Sequence, residues 1–416
     1  MLDFDTELKQ RLDSIRQQGL FRELRRMDSP QGPRLQHNGR ELINFSSNDY
    51  LGLANHPALT EAAIQSVKRF GAGSGASRLI CGSLAPHHEL EEALAAFKGT
   101  EAALTFSSGY AAALGAIPAL LGRDDVVILD KLVHASIVDA ARLSGAKIRI
   151  FAHNDLNELE EILKWSRNNP QPPISGSQRP KNVLVVTESV FSMDGDHAPL
   201  AEMVALKDKY GAWLMVDEAH ATGLYGQYRR GLAEALGVSE SIEIQMGTLG
   251  KALGASGGYL CGSRTLIDFL VNRARSFIFS TAPVPAAAAA AQAALQLVQS
   301  REGATRCEQL WQQVQVVGDD FRKLKLSPQE SLPRLTSSPA NATKPGAIIP
   351  VIIGQEAAAV TVATELRARG FLIPAIRYPT VARGSARLRI TLTAAHNATE
   401  IAQLTAALAD IFSHQS

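Results

Sequence analysis

Short apolar segments recur through the first half of the chain, separated mostly by stretches of helical or loop character. Each has the length of a short β-strand and carries few polar residues, which is typical of buried strands. These segments are residues 102–106, 126–129, 148–151, 183–186 and 213–216. The alternation predicts an α/β fold with a mainly parallel sheet covered by helices on both faces, and places ligands at the carboxyl ends of the strands.

A second unit begins near residue 301. Strand-like segments lie at 347–353 and 386–392, and a helix is predicted at 358–369. The first 26 residues carry charges throughout, as in an amphipathic surface helix. Because chains of this length usually divide into domains, we predict three parts. They are an N-terminal helix and arm (1–50), a large domain that contains the sheet (51–295) and a smaller C-terminal α+β domain (296–416).

The amino-acid composition limits the classes of molecule that the protein is expected to bind. The 416 residues include 42 basic and 41 acidic side chains, so no net field favours nucleic acid or an anionic membrane. Three well-separated cysteines argue against a disulfide framework and a zinc site, and favour a reducing cytoplasm. The alanine run at 286–291 is far shorter than the ~20 residues of a membrane span. We therefore expect a small-molecule partner, with the proline- and serine-rich stretches 169–181 and 327–345 as surface loops.

A lysine among glycines at 246–259, together with DEAH at 217–220, first suggests an ATP-driven motor. A phosphate-binding loop of that class needs a glycine five residues before its Gly-Lys pair and a serine or threonine directly after the lysine. Gln245 and Ala252 occupy those positions around Lys251. The motor hypothesis is therefore rejected, and the lysine needs another role.

The residues that follow the predicted strands supply that role. Residues 107–110 read Ser-Ser-Gly-Tyr and precede an alanine-rich helix, whose free amide groups would bind phosphate. His134 follows the second strand, and Asp217 and His220 follow the fifth. Pyridoxal phosphate requires a lysine to form its Schiff base, an aspartate to keep its ring nitrogen protonated and a flat group to stack on its ring. The predicted sheet edge offers all of these beside an anion site.

The same motifs carry a family resemblance. The chain resembles the α-oxoamine synthases, pyridoxal-phosphate enzymes of the aspartate-aminotransferase fold type, also called fold type I. The resemblance extends nearly from end to end. The shared motifs are SGY at 108–110, FSMDGD at 191–196, DEAH at 217–220 and TLGKALG at 248–254.

Three further motifs favour one branch of this family. They are NFSSNDYLGL at 44–53, FAHND at 151–155 and RGSARLRITLTAAH at 383–396. They look most like members that condense L-alanine with a pimeloyl thioester and release carbon dioxide, and the resemblance implies a homodimer with shared active sites. Sister synthases that use glycine or another acyl thioester remain alternatives. A nucleotide-binding module or a non-catalytic scaffold of the same fold also remains open.

The resemblance assigns roles residue by residue. Lys251 would be the Schiff-base lysine and general base, Asp217 would pair with the ring nitrogen, and His220 would contact the ring oxygen. His134 would stack on the ring and orient the substrate. The other cofactor contacts would come from Ser108, Gly109, Tyr110, Ser192, Thr248 and, across the dimer interface, Thr281. The substrate contacts would come from Asn48, from Arg377 at the amino-acid carboxylate, from Thr380 at the acyl chain and from Arg22, or Arg25 in its place.

Overall fold

The structure, a computed structural model, describes residues 3–168, 182–324 and 346–413. The predicted loops 169–181 and 327–345 lie outside these residues. The described strands are β1 (Arg34–His37), β2 (Arg40–Asn44), β3 (Ala102–Phe106), β4 (Val126–Asp130), β5 (Lys147–Phe151), β6 (Val183–Glu188), β7 (Trp213–Asp217), β8 (Ile244–Thr248), β9 (Gly258–Gly262), β10 (Ile348–Gly354), β11 (Phe371–Leu372), β12 (Ala375–Ile376) and β13 (Ala386–Thr391).

Helices occupy much of the remaining described chain. They are α1 (Phe4–Gln17), α2 (Pro57–Phe70), α3 (Ala85–Lys98), α4 (Gly109–Leu120), α5 (Ala135–Ser144), α6 (Leu156–Asn168), α7 (Leu200–Tyr210), α8 (Leu232–Ala235), α9 (Arg264–Arg273), α10 (Arg275–Ile278), α11 (Pro285–Gln299), α12 (Arg301–Lys323), α13 (Glu356–Ala368) and α14 (Ala398–Ser413). Across the described ranges, no helix has the length and apolar character that a membrane crossing would need.

A seven-stranded sheet lies at the centre, in the order β3-β9-β8-β7-β6-β4-β5. All neighbouring pairs are parallel except those that involve β9, which runs antiparallel to β3 and β8. The five predicted strands are β3 to β7, and their ends lie within two residues of the predicted bounds. The predicted mainly parallel sheet is confirmed.

Both faces of this sheet are buried, which explains the near-continuous apolar runs. Successive residues of a strand point to opposite faces. In β4, Val126 and Ile128 therefore join one hydrophobic cluster, while Val127 and Leu129 join the other. The first cluster continues into α6, α7, α13 and α14, and the second into α4, α5 and α9. Helices therefore pack on both faces of the sheet and fix the positions of the loops that follow the strands.

The C-terminal part forms a smaller unit beside the sheet, as predicted. Strand β13 pairs antiparallel with both β10 and β12. A second small sheet has the order β1-β2-β11, in which β2 runs parallel to β11. The N-terminal strands β1 and β2 therefore share a sheet with β11 of the C-terminal part. The division of the chain at residues 50 and 295 stays a prediction.

Candidate active site

Loops at the carboxyl ends of the large sheet meet around a cavity of about 160 Å³. Seven of the predicted site residues line it: Gly109, Tyr110, His134, Asp217, His220, Thr248 and Lys251. Ser136, Glu188, Ala219, Met246 and Gly247 complete the lining. A larger cavity of about 490 Å³ lies around Gly99, Trp213 and Ser263 and contains none of the predicted residues. The convergence of titratable groups, not cavity size, locates the candidate site.

The beginning of α4 forms the anion site of this cavity. Ser108 is the N-cap, and its Oγ accepts a hydrogen bond from the Ala111 amide at 3.1 Å. The amides of Gly109 and Tyr110 then face the cavity at the positive end of the helix. Gly109 lies close to Thr248, because a Cβ at residue 109 would be 3.8 Å from the Thr248 Cβ. A helix N-terminus beside a hydroxyl suits a phosphate group.

Lys251 also lines the cavity, next to a buried histidine. Its Nζ is 2.7 Å from His220 Nε2, and His220 Nδ1 is 2.6 Å from the Tyr50 hydroxyl. Burial lowers the pKa of Lys251 to about 8, although the nearby charges of Asp217 and Glu188 oppose this shift. Burial also lowers the pKa of His220 well below its usual value, helped by the charge of Lys251. Both shifts favour the neutral forms of the imidazole and the amine.

Two carboxyl groups lie side by side at the base of the cavity. Asp217 and Glu188 are partners in the register between β7 and β6. Asp217 Oδ1 accepts a hydrogen bond from the Ala219 amide at 2.9 Å. Burial raises the pKa of Asp217, and the charge of Lys251 opposes the rise. Glu188 ends β6 and follows the predicted strand 183–186 by two residues, but sequence reasoning gave it no role.

His134 forms the N-cap of α5. Its Nδ1 accepts a hydrogen bond from the Ser136 amide at 3.2 Å and lies 2.8 Å from the Ser136 hydroxyl. These contacts fix the ring, while the side chain remains exposed to the cavity. Burial lowers the pKa of His134, although the negative charge of Asp217 opposes this shift. A fixed, neutral ring with an accessible face suits stacking on a flat ligand.

Arg389 contacts two of the predicted site residues, and sequence reasoning missed it. It is buried in β13, where its Nε donates to the Ser192 carbonyl at 2.6 Å and its Nη2 to Asn48 Oδ1 at 3.0 Å. Its positive charge lowers the pKa of Lys251 and of His220. Arg387 lies two residues before Arg389, so both side chains point to the same face of β13. Two arginines on one face of a largely apolar strand were the signal in the sequence that could have identified Arg389.

These groups fit pyridoxal phosphate on chemical grounds. The cavity combines an amine, a carboxylate, a neutral imidazole with a free face and an anion site at a helix N-terminus. Gly258 keeps the anion site in place, because a Cβ there would lie 2.5 Å from the Gly109 nitrogen.

Comparison with known proteins agrees with this chemistry. Aminotransferases of class I and II match residues 40–408. The chain belongs to this family. Among curated relatives, the 8-amino-7-oxononanoate synthase of Geobacter sulfurreducens is 47% identical over 400 residues, covering 96% of each chain. That of Anaeromyxobacter dehalogenans is also 47% identical over 400 residues, covering 96% of this chain and 94% of the relative.

Solved structures of the same family extend the comparison. A variant of serine palmitoyltransferase from S. paucimobilis, solved with a bound pyridoxal phosphate–myriocin aldimine, has a TM-score of 0.86 at 28% identity, and the match covers 98% of each chain. The 8-amino-7-oxononanoate synthase from Francisella tularensis has a TM-score of 0.73 at 25% identity, covering 90% of this chain and 98% of that one. The predicted fold type, the α-oxoamine synthase resemblance, the pyridoxal phosphate cofactor and the class of enzyme, an acyltransferase, are confirmed.

Several residues that the family resemblance assigns to substrate lie elsewhere in this chain. Arg377 donates to the carbonyls of Gly19 and Phe21 and, with Arg22 and Arg25, lines a separate cavity of about 450 Å³. Thr380 is exposed in the loop after Arg377, and its amide donates to the Arg377 carbonyl at 3.0 Å. Their contacts with substrate stay predictions.

Three predicted cofactor contacts, Ser108, Ser192 and Thr281, do not line the 160 Å³ cavity, and the contact of Ser108 with the cofactor stays a prediction. Ser192 contributes its carbonyl to Arg389, and its hydroxyl role stays a prediction. Thr281 is exposed and forms an isolated β-bridge with Ser77. Its predicted contact crosses a dimer interface and stays a prediction as well.

Proposed function

We propose that the protein condenses L-alanine with a pimeloyl thioester to give 8-amino-7-oxononanoate, carbon dioxide and a free thiol, a step of biotin biosynthesis in the cytoplasm. The observation that carries this proposal is the amine of Lys251, held next to the neutral His220 in a cavity with a carboxylate and an anion site. Similarity to 8-amino-7-oxononanoate synthases over 96% of the chain supports the choice of substrates.

Pyridoxal phosphate, when bound, supplies an electron sink for negative charge at the α-carbon of the amino acid. The phosphate would lie at the amides of Gly109 and Tyr110 and at the Thr248 hydroxyl. Asp217 would hold the ring nitrogen, and Lys251 would bond to the cofactor. The contacts of His220 with the ring oxygen and of His134 with the ring face would complete the set.

Lys251 Nζ is the base of the reaction in this proposal. A base works best when its pKa lies near the working pH, and the pKa of about 8 meets this condition. The amine removes the α-proton of alanine and returns a proton to the same carbon after carbon dioxide has left. His220, kept neutral by burial, accepts a hydrogen bond from the protonated amine at Nε2.

Asp217 keeps negative charge next to the ring nitrogen. A carboxylate there raises the pKa of that nitrogen and favours its protonated form, which strengthens the electron sink. The hydrogen bond from the Ala219 amide and the charge of Lys251 both favour the ionised carboxylate.

Two arginines are candidates for the carboxylate of the amino acid. The family resemblance points to Arg377, whereas the position of Arg389 beside Lys251 and Asn48 favours Arg389. A buried guanidinium that already holds neighbouring carbonyl oxygens would place a carboxylate with little loss of conformational entropy.

One observation favours a second candidate function. Solved structures with the higher TM-score, 0.86, are serine palmitoyltransferases, so a sister synthase with another amino acid or acyl chain is the alternative. Members that use glycine, such as 2-amino-3-ketobutyrate ligase and 5-aminolevulinate synthase, belong to the same set.

A substrate panel separates these candidates. Alanine, glycine and serine are each assayed with pimeloyl, acetyl, succinyl and palmitoyl thioesters, carried on coenzyme A and on a carrier protein. We expect the highest kcat/KM for alanine with a pimeloyl thioester. A higher value for any other pair would replace the proposed substrates with that pair.

A further inference from the structure

His153 lies between two loops that carry predicted cofactor residues, and it has no role in the chemistry described above. It belongs to the FAHND motif and follows β5. The first loop is the His134 turn (residues 130–134), which leads from the end of β4 to the His134 ring. The second is the Ser192 loop (residues 191–196), which comes after β6. The imidazole of His153 contacts one aspartate of each loop.

Both ring nitrogens of His153 lie at hydrogen-bond distance from a carboxylate oxygen. Nδ1 is 3.0 Å from Asp130 Oδ1, and Nε2 is 2.7 Å from Asp196 Oδ2. The ring of Phe191 holds the imidazole between them, with ring centroids 4.3 Å apart and the planes at 89°. A ring nitrogen donates to a carboxylate only when it carries a proton. Two such contacts therefore call for a proton on each nitrogen of His153.

The two aspartates accept further hydrogen bonds, which favour their ionised forms. Asp130 is buried, and its two oxygens accept the amides of Leu132 and Asn154, each at 2.8 Å. Asp196 Oδ2 also accepts from Asn154 Nδ2 at 3.3 Å. The proton is thus placed on His153 and not on either carboxyl group. Burial opposes a charge on the imidazole, but the two aspartates outweigh this effect and raise the pKa of His153 to about 10.

Other titratable side chains of these segments have partners elsewhere or face solvent. Glu158 of α6 accepts the Ala152 amide at 2.6 Å, and Asp155 accepts amides in the first turn of the same helix. The remaining groups are Asp194, paired with Arg387, His197, whose Nε2 is 3.1 Å from the Tyr225 hydroxyl, and Lys131, which is exposed. The charge of His153 is therefore balanced by Asp130 and Asp196.

We propose that His153 is a positioning residue that stays protonated in the working site and joins the His134 turn to the Ser192 loop. Asp130 holds the turn through the Leu132 amide, and the Asp196 carbonyl closes the loop by accepting the Phe191 amide at 3.0 Å. The imidazolium connects these two aspartates. A neutral group in its place would leave two carboxylates facing each other away from solvent, and their repulsion would separate the two loops.

Nitrogen-15 NMR of the histidine-labelled holoenzyme counts the protons on His153. We expect an imidazole with both nitrogens protonated at about pH 8.5, where an ordinary histidine is neutral. This signal should disappear only as the pH rises through about 10, and it should be absent in His153→Gln. In Asp196→Asn the ring loses one negative neighbour, so the signal should disappear at a lower pH. A singly protonated His153 at about pH 8.5, or an unchanged titration in Asp196→Asn, overturns the proposal.

Cofactor titration tests whether the bridge between the loops serves the site. We expect His153→Gln to bind pyridoxal phosphate roughly tenfold more weakly at neutral pH, because a charged hydrogen-bonded bridge is lost. The ratio of the mutant to the wild-type dissociation constant should fall towards one as the pH rises through about 10, where the wild-type protein loses the same charge. A role in packing alone would give a ratio that does not change with pH, and that result contradicts the proposal.

His88→Gln is the matched control, because His88 is exposed on α3 and does not line the cavity. It should bind the cofactor as the wild-type protein does. Equal binding by His153→Gln and His88→Gln at neutral pH would refute the positioning role. If His153→Gln does not fold, the spectra of the wild-type protein and of Asp196→Asn still decide where the proton lies.

The inference rests on the proposed function only through the cofactor. Neither readout uses the amino acid or the acyl thioester. A substrate panel that favours another pair would therefore overturn the proposed function and leave the His153 assignment standing. A singly protonated His153 would do the reverse.

Discussion

Burial sets the chemistry of individual residues in this cavity. A lysine and a histidine at the surface have ordinary pKa values, so their positions in the sequence do not reveal their protonation states. In the folded protein, burial lowers the pKa of Lys251 to about 8 and that of His220 well below its usual value. The same environment raises the pKa of Glu188 and Asp217, because charged forms of either sign lose solvation.

Lys251→Ala removes the amine that would bond to the cofactor and act as base. We expect loss of the visible absorption of the bound cofactor and a fall in kcat of about 10³-fold. Lys131→Ala is the control, because Lys131 is exposed in the loop after β4 and lies outside the lining of the cavity. Absorption spectra and steady-state rates are the measurements. Full absorption with normal turnover in Lys251→Ala would remove this residue from the mechanism.

Arg389→Lys tests which arginine takes the amino-acid carboxylate. Lysine keeps the charge but not the hydrogen bonds to Ser192 and Asn48, so we expect the KM for alanine to rise about tenfold or more. Arg377→Lys is the matched variant, with a smaller expected change. The reverse order of the two effects would support the assignment from the family resemblance.

At the scale of elements, local patterns predicted some strands and missed others. β3 to β7 were predicted because they are apolar and buried on both faces. β9 was missed because Gly258 and Gly262 at its ends give little strand propensity. The structure explains Gly258, since β9 runs directly against the first turn of α4 and leaves no space for a side chain. Only the packing of the two elements reveals this requirement.

Gly258→Ala should displace the first turn of α4. A Cβ there would lie 2.5 Å from the Gly109 nitrogen, which is backbone and cannot rotate away. We expect a loss of unfolding free energy of about 1–3 kcal/mol and roughly tenfold weaker cofactor binding. Gly73→Ala is the control, because a Cβ at that residue would have no heavy atom within 4 Å. Urea unfolding and cofactor titration measure both effects, and equal behaviour of the two variants would refute the role of this contact.

At the scale of the whole molecule, the site draws on distant parts of the chain. Asn48 comes from the segment after β2, Ser192 from the loop after β6, and Arg389 from β13.

An exposed apolar surface near Thr281 suggests that a second subunit also contributes to the site. Ile80 is 78% and Phe279 71% exposed, and both lie near the bridge between Ser77 and Thr281. A patch of this kind is typical of an interface between subunits.

We therefore expect a homodimer whose interface includes this patch and brings Thr281 towards the cofactor of the partner. Sedimentation velocity should give twice the chain mass. Ile80→Glu and Phe279→Glu should shift the protein towards monomer and weaken cofactor binding, because a buried unpaired charge is costly. Val316→Glu, at an exposed position of α12, is the control. A monomeric wild-type protein with full cofactor binding would rule out the shared site.

The sequence by itself determined the positions of β3 to β7 and the mainly parallel sheet, and it pointed to Lys251, Asp217, His134 and His220, which the structure brings to one cavity. These follow from local apolar patterns and from residue types at strand ends. The tertiary structure decided the burial that lowers the pKa of Lys251 and raises that of Glu188, and it brought Arg389 into contact with Ser192 and Asn48. Those properties depend on burial and on distances between residues far apart in the chain, which no local pattern contains.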